Sequence, residues 1–410
     1  MTHATSYYDI FQKIHFDQIS LEQAWNITTG SSTVMVGVVD SGIDATHPAL
    51  SNRINTSLSR DFTNPYYPKG IAGGLTDQVR GHGTAVAGVI GANGTGVIGI
   101  NWNVTLISLK VFPDSGSNDW SYVRNAVDYA TSAAIPILNM SVGGFNTDPV
   151  LEQYIKNYPG LAVCASGNEG ENIGVYSFIP AAYNFSNVIA VGGTKYNSDS
   201  PADVSDWGAP APGSYCPPLA SCPGGSNFGD TTVDLFAPGT WITTTKASSN
   251  VNPPGYVTGA SGTSFATPFV TGVAALMKSQ SSYLSAYSIK KIINKTVDKG
   301  SNLTPPNSLA AYCKTGGRLN ANAAVTFTAS SWIPCRNGCL WQEQMCNANV
   351  STNAGPLCSN ECYNMAVISC GDPSDGLCLT WYQSCLSYCM TQAYNQCKNQ
   401  SSSCVSACSN

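Results

Sequence analysis

Three residues of complementary chemistry stand far apart in the chain, each in a glycine-rich setting: Asp40 in VVDSGID, His82 in GHGTAVAG and Ser264 in GTSFATP. Brought together, a carboxylate, an imidazole and a hydroxyl form a nucleophilic relay. The carboxylate fixes the imidazole tautomer, the neutral imidazole takes the hydroxyl proton, and the oxygen attacks an acyl carbon. A fourth residue, Asn168 in ASGNEG, carries an amide able to donate a hydrogen bond to the resulting oxyanion. Each also has an ordinary reading alone. Asp-Ser-Gly and Asn-Glu-Gly are good turns, a serine opening a helix is a cap, and a lone histidine is commonly a satisfied surface or core residue. That last reading is accepted for His3, His15 and His47.

The elements that must position these residues can be read from apolar patterning. TVMVGVVD (33–40), VTLISLKVF (104–112), IPILNMS (135–141), GLAVCAS (160–166) and NVIAVGG (187–193) are dense in Val, Ile and Leu without alternation. Strands buried on both faces read this way. Helical patterns follow at 81–92 and 120–133. TSFATPFVTGVAALMKSQ (263–280) is another, with Pro268 placed in its first turn. The alternation predicts an α/β domain of three layers, a parallel sheet covered by helices on both sides. Functional residues then belong at the carboxyl ends of strands, where Asp40 and Asn168 stand. Ser264 falls at a helix start, whose positive end favours developing negative charge.

The chain has 410 residues, 43% of them hydrophobic, enough for a large core. Charged residues make up 10%, well below the roughly 25% of ordinary soluble domains. The net charge is −5, and no basic stripe points to nucleic acid or an anionic membrane as partner. No apolar run reaches the ~18 residues that span a bilayer. Sixteen cysteines and ten Asn-x-Ser/Thr sequons, beginning at Asn26, Asn55, Asn93, Asn103, Asn139, Asn184, Asn294, Asn302, Asn349 and Asn399, favour an oxidising secretory route, to a secreted or cell-surface location. Asn139 lies in a strand pattern and is expected to be buried. MTHATSYYD has neither the basic start nor the apolar stretch of a signal peptide, so the chain reads as a mature or recombinant segment of a longer secreted precursor.

Residues 1–330 hold four cysteines and residues 335–408 hold twelve. This places a boundary near 330, between a core-forming domain (1–330) and a module (331–410) too small and too poor in large aliphatics to fold without staples. Four CxxxC pairs stand in the module: 335/339, 358/362, 385/389 and 404/408. Spacings of four, seven and eleven put cysteines on one helical face, which suggests cross-linked helical hairpins. The pairing drawn is Cys335 with Cys362, Cys339 with Cys358, Cys385 with Cys408 and Cys389 with Cys404, although connectivity does not follow from sequence. Zinc is the rival reading. A tail without histidine and a secreted context favour disulfides. Cys216 and Cys222 flank CPPLASC and are expected to close a small loop. Cys164 reads as a free core thiol, and Cys313 either pairs with it or stays free.

Four independent turns would not recreate one family's order, spacing and flanks. From about residue 8 to 326 the chain resembles the catalytic domain of the subtilisin-like serine proteases. VVDSGIDATHP resembles the aspartate motif, GHGTAVAG the histidine motif and SGTSFATPFVTG the serine motif; ILNMSVGG, ASGNEG, VDLFAPG and GGRLNANAAV resemble further blocks. The resemblance implies a secreted endopeptidase with Asp40, His82 and Ser264 as its triad. The Asn168 side chain and the Ser264 backbone N–H would be its oxyanion donors. A polypeptide substrate would add as an antiparallel strand beside Gly116, Ser117 and Asn118 and beside Ser141, Val142, Gly143 and Gly144. Ser141, Val142, Gly143, Ala165, Ser166, Gly167 and Glu169 would outline the primary specificity pocket. That pocket would favour apolar or aromatic side chains, with Glu169 able to admit basic ones. Trp120, Val123 and Val142 would line a second apolar pocket, or Trp120 and Val123 would be ordinary helix-face packing.

The chain also departs from the family pattern. Ala85 stands where a second histidine is usual, and Phe265 where a methionine follows the nucleophile. Ala49 replaces an aspartate that in many members helps hold calcium near the loop 92–99, which here keeps Asn93. Calcium wants six to eight oxygens, carboxylates among them. Its loss argues against a structural calcium there, and catalysis is expected to need no cofactor. Phe178 lies beneath the pocket region and is expected to narrow it. The family further implies an upstream propeptide that inhibits the enzyme, and the protein is expected to be a monomer. Two alternatives use the same residues: a catalytically idle homologue that binds a partner, and a peptide ligase.

Overall fold

In the computed structural model, which describes residues 7–202, 224–249, 253–303 and 309–332, the five unalternating apolar runs are strands. The chain divides into two compact units, Met1–Val325 and Thr326–Asn410, and the sheet belongs to the first. Its strands are β1 (Met35–Asp40), β2 (Arg60–Asp61), β3 (Ile71–Ala72), β4 (Thr105–Lys110), β5 (Ile137–Met140), β6 (Leu161–Ala165), β7 (Val188–Thr194) and β8 (Leu235–Pro238). They lie in the order β3-β2-β4-β1-β5-β6-β7-β8. Neighbours are parallel throughout, except β2 with β3. Every residue of β5, β6, β7 and β8 is buried. Such strands carry Val, Ile and Leu on both faces because helices cover both.

The α-helices among the described residues are α1 (Lys13–Gln18), α2 (Leu21–Trp25), α3 (His82–Gly91), α4 (Trp120–Ser132), α5 (Pro149–Asn157), α6 (Thr263–Gln280), α7 (Ala286–Lys295) and α8 (Ala321–Phe327). The Asp119 carboxylate caps α4 by accepting from Ser121 N at 2.7 Å. Asp148 caps α5 through Leu151 N at 2.8 Å, with Pro149 in its first turn. Val123, Ala126 and Val127 of α4 and Leu151 and Ile155 of α5 share a core with Val39, Leu109, Leu138, Met140 and Cys164 of the sheet. The helix α6 packs against α3 and across β5 to β8. Pro268 is the sixth residue of α6 and lies in its second turn, not the first as the sequence pattern indicated.

An antiparallel hairpin, β9 (Ile242–Lys246) with β10 (Gly255–Ala260), stands apart from the sheet. Its sequences, ITTTK and GYVTGA, carry too few large apolar residues to be read as core strands. The threonines instead fasten α3: Thr244 Oγ1 donates to Ala85 O and Thr245 Oγ1 to Thr84 O, both at 2.7 Å. Ala85 is buried at that contact.

Strand order turns at β1. The chain leaves β1 toward β4 on one side and then crosses to β5 on the other. This opens a crevice beyond the carboxyl ends of the central strands, where β1 ends at Asp40, β5 runs into Ser141 and β6 into Ser166. Asn139 in β5 is fully buried, as expected, while Cys164 and Cys313 are both buried free thiols. The proposed disulfide cysteines, at 216, 222 and from 335 to 408, lie outside the described residues.

Candidate active site

Asp40 is the last residue of β1 and wholly buried. His82 opens α3, and its Nδ1–H donates to Asp40 Oδ1 at 2.8 Å and Oδ2 at 3.0 Å. A proton held on Nδ1 leaves Nε2 as the acceptor. The approach is close because residue 83 is glycine: a Cβ there would sit 2.2 Å from Gly42 O and 3.0 Å from Asp40 Cβ. A second buried carboxylate, Asp77, holds the start of α3. It accepts from Gly81 N at 3.0 Å and from Thr84 N and Oγ1 at 2.9 Å each. Burial alone would lower the His82 pKa, but attraction and hydrogen bonding to Asp40, helped by Asp77, raise it.

Ser264 is the second residue of α6. In a regular helix its carbonyl would accept from the N–H of residue 268, but proline has none. The Ser141 hydroxyl takes that place, donating to Ser264 O at 2.9 Å. Ser141 Oγ in turn accepts from Asn139 Nδ2 at 2.9 Å, and Asn139 Oδ1 from Thr271 Oγ1 at 2.8 Å. A buried polar chain thus anchors the serine backbone to β5. The next residue, Phe265, sets its ring edge against the His82 ring, centroids 5.5 Å apart. Among the described residues no hydrogen bond joins Ser264 Oγ to His82; such contacts commonly tighten only when substrate binds.

Asn168 follows β6 on an exposed turn. Its Oδ1 accepts from Thr263 N at 2.8 Å and Thr263 Oγ1 at 3.1 Å. With its oxygen held, the amide presents Nδ2 as a free donor. A Cβ built on Gly262 would stand 3.7 Å from Asn168 Nδ2 and 3.8 Å from Ser264 N, so both donors border one small space beside the serine.

A profile of the Subtilase family matches residues 31–312. The chain belongs to the subtilase family. It is 32% identical to thermitase of Thermoactinomyces vulgaris over 317 residues, 76% of this chain and 94% of that protein. It is 33% identical to subtilisin E of Bacillus subtilis over 258 residues, 62% of this chain and 57% of that one. The crystal structure of a cold-adapted subtilisin-like serine proteinase superposes with a TM-score of 0.53 at 27% identity, covering 70% of this chain and 88% of that chain. This subtilase is therefore a serine endopeptidase that acts on peptides.

Gly116, Ser117 and Asn118 form an exposed loop ahead of α4. Trp120 links the two expected binding segments: its Cζ2 would be 3.4 Å from a Cβ on Gly144. Gly144 itself is engaged internally, exchanging backbone hydrogen bonds with Ile179 at 3.0 and 2.8 Å. Val123 and Val142, each 4% exposed, are packed into the core. Ser141, Ala165, Ser166 and Gly167 are buried as well. Glu169 is hydrogen-bonded within the protein. Its Oε2 accepts from Asn168 N at 2.8 Å and Asn227 Nδ2 at 2.7 Å, and burial raises its pKa.

Several residues of the subtilase site escaped sequence reading: Asp77, Thr263, Thr271 and Asn227. Asn227 fastens the 166–171 loop, accepting from Glu169 N and Glu171 N and donating to Ser166 O. These are short polar side chains, Asp77 and Asn227 outside regular elements and Thr263 and Thr271 within α6, and only their burial marks them. Thr263 had one signal, its position directly before the candidate nucleophile.

The region of the doubtful calcium is built otherwise. Ala49 packs with Ala92 and Val97 in a small apolar cluster against Tyr7 and Tyr256. Asn93 directs its amide N–H groups to Pro48 O and Asn52 Oδ1, and its Oδ1 accepts from Thr95 N. Gln12 donates to Ile98 O and accepts from Ile98 N. The Pro48 and Ile98 carbonyl oxygens are met by amide N–H donors, and among the described residues no group of three or more His, Cys, Asp or Glu side chains is placed to hold a metal ion. This set does not fit a calcium ion.

Proposed function

We propose that this subtilase hydrolyses peptide bonds through an acyl-enzyme on Ser264. His82 Nε2 takes the Ser264 Oγ proton while Oγ bonds to the scissile carbonyl carbon. Asp40 holds the imidazole and stabilises its charged form. The tetrahedral oxyanion accepts from Asn168 Nδ2–H and Ser264 N–H. Collapse breaks the carbon–nitrogen bond as His82 gives its proton to the leaving amine. Water, deprotonated by His82, then attacks the ester and frees Ser264. The observation that carries this reading is the Asp40–His82 hydrogen bond, which leaves Nε2 as an acceptor beside the Ser264–Phe265 segment.

The decisive experiment is labelling of folded protein with a fluorophosphonate. A single adduct that disappears in Ser264→Ala is expected; no adduct, or one unchanged in Ser264→Ala, would overturn the reading. We further propose secretion, supported by the sixteen cysteines and by exposed sequon residues Asn26, Asn184 and Asn302. An upstream propeptide that inhibits the enzyme, a monomeric state and catalysis without a cofactor complete the proposal.

A further inference from the structure

Gly143 and Gly167 lie on the two segments assigned to the walls of the primary specificity pocket, and one aromatic ring spans the gap between them. A Cβ on Gly143 would stand 2.0 Å from Phe178 Cε1, 2.6 Å from Cζ and 2.9 Å from Cδ1. A Cβ on Gly167 would stand 2.9 Å from Cε2 of the same ring. Opposite edges of Phe178 therefore touch opposite walls, and both walls are glycine where they meet it. Phe145 abuts the ring edge to face, centroids 5.2 Å apart. The backbone of the next residue is tied to the wall through the paired Ile179–Gly144 hydrogen bonds. Phe178 is 6% exposed, so it fills this space rather than lining it.

We propose that Phe178 closes the pocket for the residue on the amino side of the scissile bond (P1), and that this enzyme cleaves after small side chains: glycine, alanine and serine. The inference rests on the proposed function, since it takes the 141–143 and 165–170 segments as that pocket's walls. It replaces the expected taste for apolar or aromatic residues. It also argues against the basic alternative, because the same ring takes the space a long side chain would need, and Glu169 Oε2 already accepts from Asn168 N and Asn227 Nδ2. A close-packed aromatic ring does not yield the volume a second one needs.

The test is a peptide series identical except at P1, run beside fluorophosphonate labelling. Alanine at P1 should exceed phenylalanine in kcat/KM by about 100-fold or more, since a single methylene in an apolar pocket already discriminates 10–200-fold. In Phe178→Ala the ratio of phenylalanine to alanine cleavage should rise at least about 10-fold; as a ratio it is independent of how much protein folds. Should that variant fail to fold, the same ordering read with P1-alanine and P1-phenylalanine peptide aldehydes on the native protein decides. Labelled enzyme that prefers phenylalanine or leucine overturns this inference and leaves the protease reading standing. Absence of labelling overturns both.

Discussion

His82 concentrates the electrostatics of the site. Two buried carboxylates raise its pKa against the effect of its own burial, and a protonated imidazole cannot take the serine proton. Activity is therefore lost as pH falls through a pKa above that of a free histidine. A pH profile of kcat/KM should show that acid limb, and Asp40→Asn should lower kcat by about 10⁴-fold; a limb at or below the ordinary histidine value would contradict the assignment. Asn168 makes a different demand. Its oxygen is occupied by Thr263, so only its N–H faces the crevice. Asn168→Ala should lower kcat by about 10²–10³-fold with little change in KM, and a purely KM effect would make it a binding residue instead. The candidate set Asp40, His82, Asn168 and Ser264 was legible in the sequence through its flanking motifs, and the structure brings His82 to Asp40 and Asn168 to Thr263, the residue before Ser264. Asp77, Thr263 and Asn227 were not legible, because any short polar residue reads alike until its burial is known.

Among the elements, α6 shows how helix geometry and catalytic placement combine. Pro268 removes the N–H that would bind the Ser264 carbonyl, and Ser141 at the end of β5 supplies the replacement. Ser141→Ala should cost about 1–3 kcal/mol by leaving that carbonyl unpaired. Pro268→Ala offers it a helical N–H, so the double variant should lose less than the sum of the singles. A double-mutant cycle by urea denaturation should show coupling of about 1 kcal/mol; simple additivity would mean the Ser141 contact carries no such weight. The central strands were legible as unalternating Val, Ile and Leu runs because both their faces are covered. The short strands β2 and β3 at one end of the sheet and the hairpin β9–β10 were not, being two residues long or rich in threonine, with partners chosen by the rest of the fold.

At the scale of the whole molecule, the described residues around Ala49 are held by packing and amide hydrogen bonds rather than by a cation. Thermal unfolding should therefore be unaffected by a chelator. A structural calcium supplied at about 1,000 times its dissociation constant would add about 4 kcal/mol of stability; a melting temperature that drops with chelator and recovers with calcium would refute the expectation. The absent carboxylate at position 49 was visible in the sequence, but the apolar cluster that stands in its place was not. The same division runs through the protein. Sequence by itself determined the family and the enzyme class, since the motifs around Asp40, His82 and Ser264 are recognisable, and it determined the α/β class, since two-sided burial forces apolar runs. For the pocket, the family resemblance already pointed to Phe178 as narrowing it, and tertiary structure alone supplied the contacts by which it would do so. Gly143, Gly167 and Phe178 are distant along the chain, and only folding sets one ring between two glycines, because excluded volume is a property of atoms brought together and not of any residue alone.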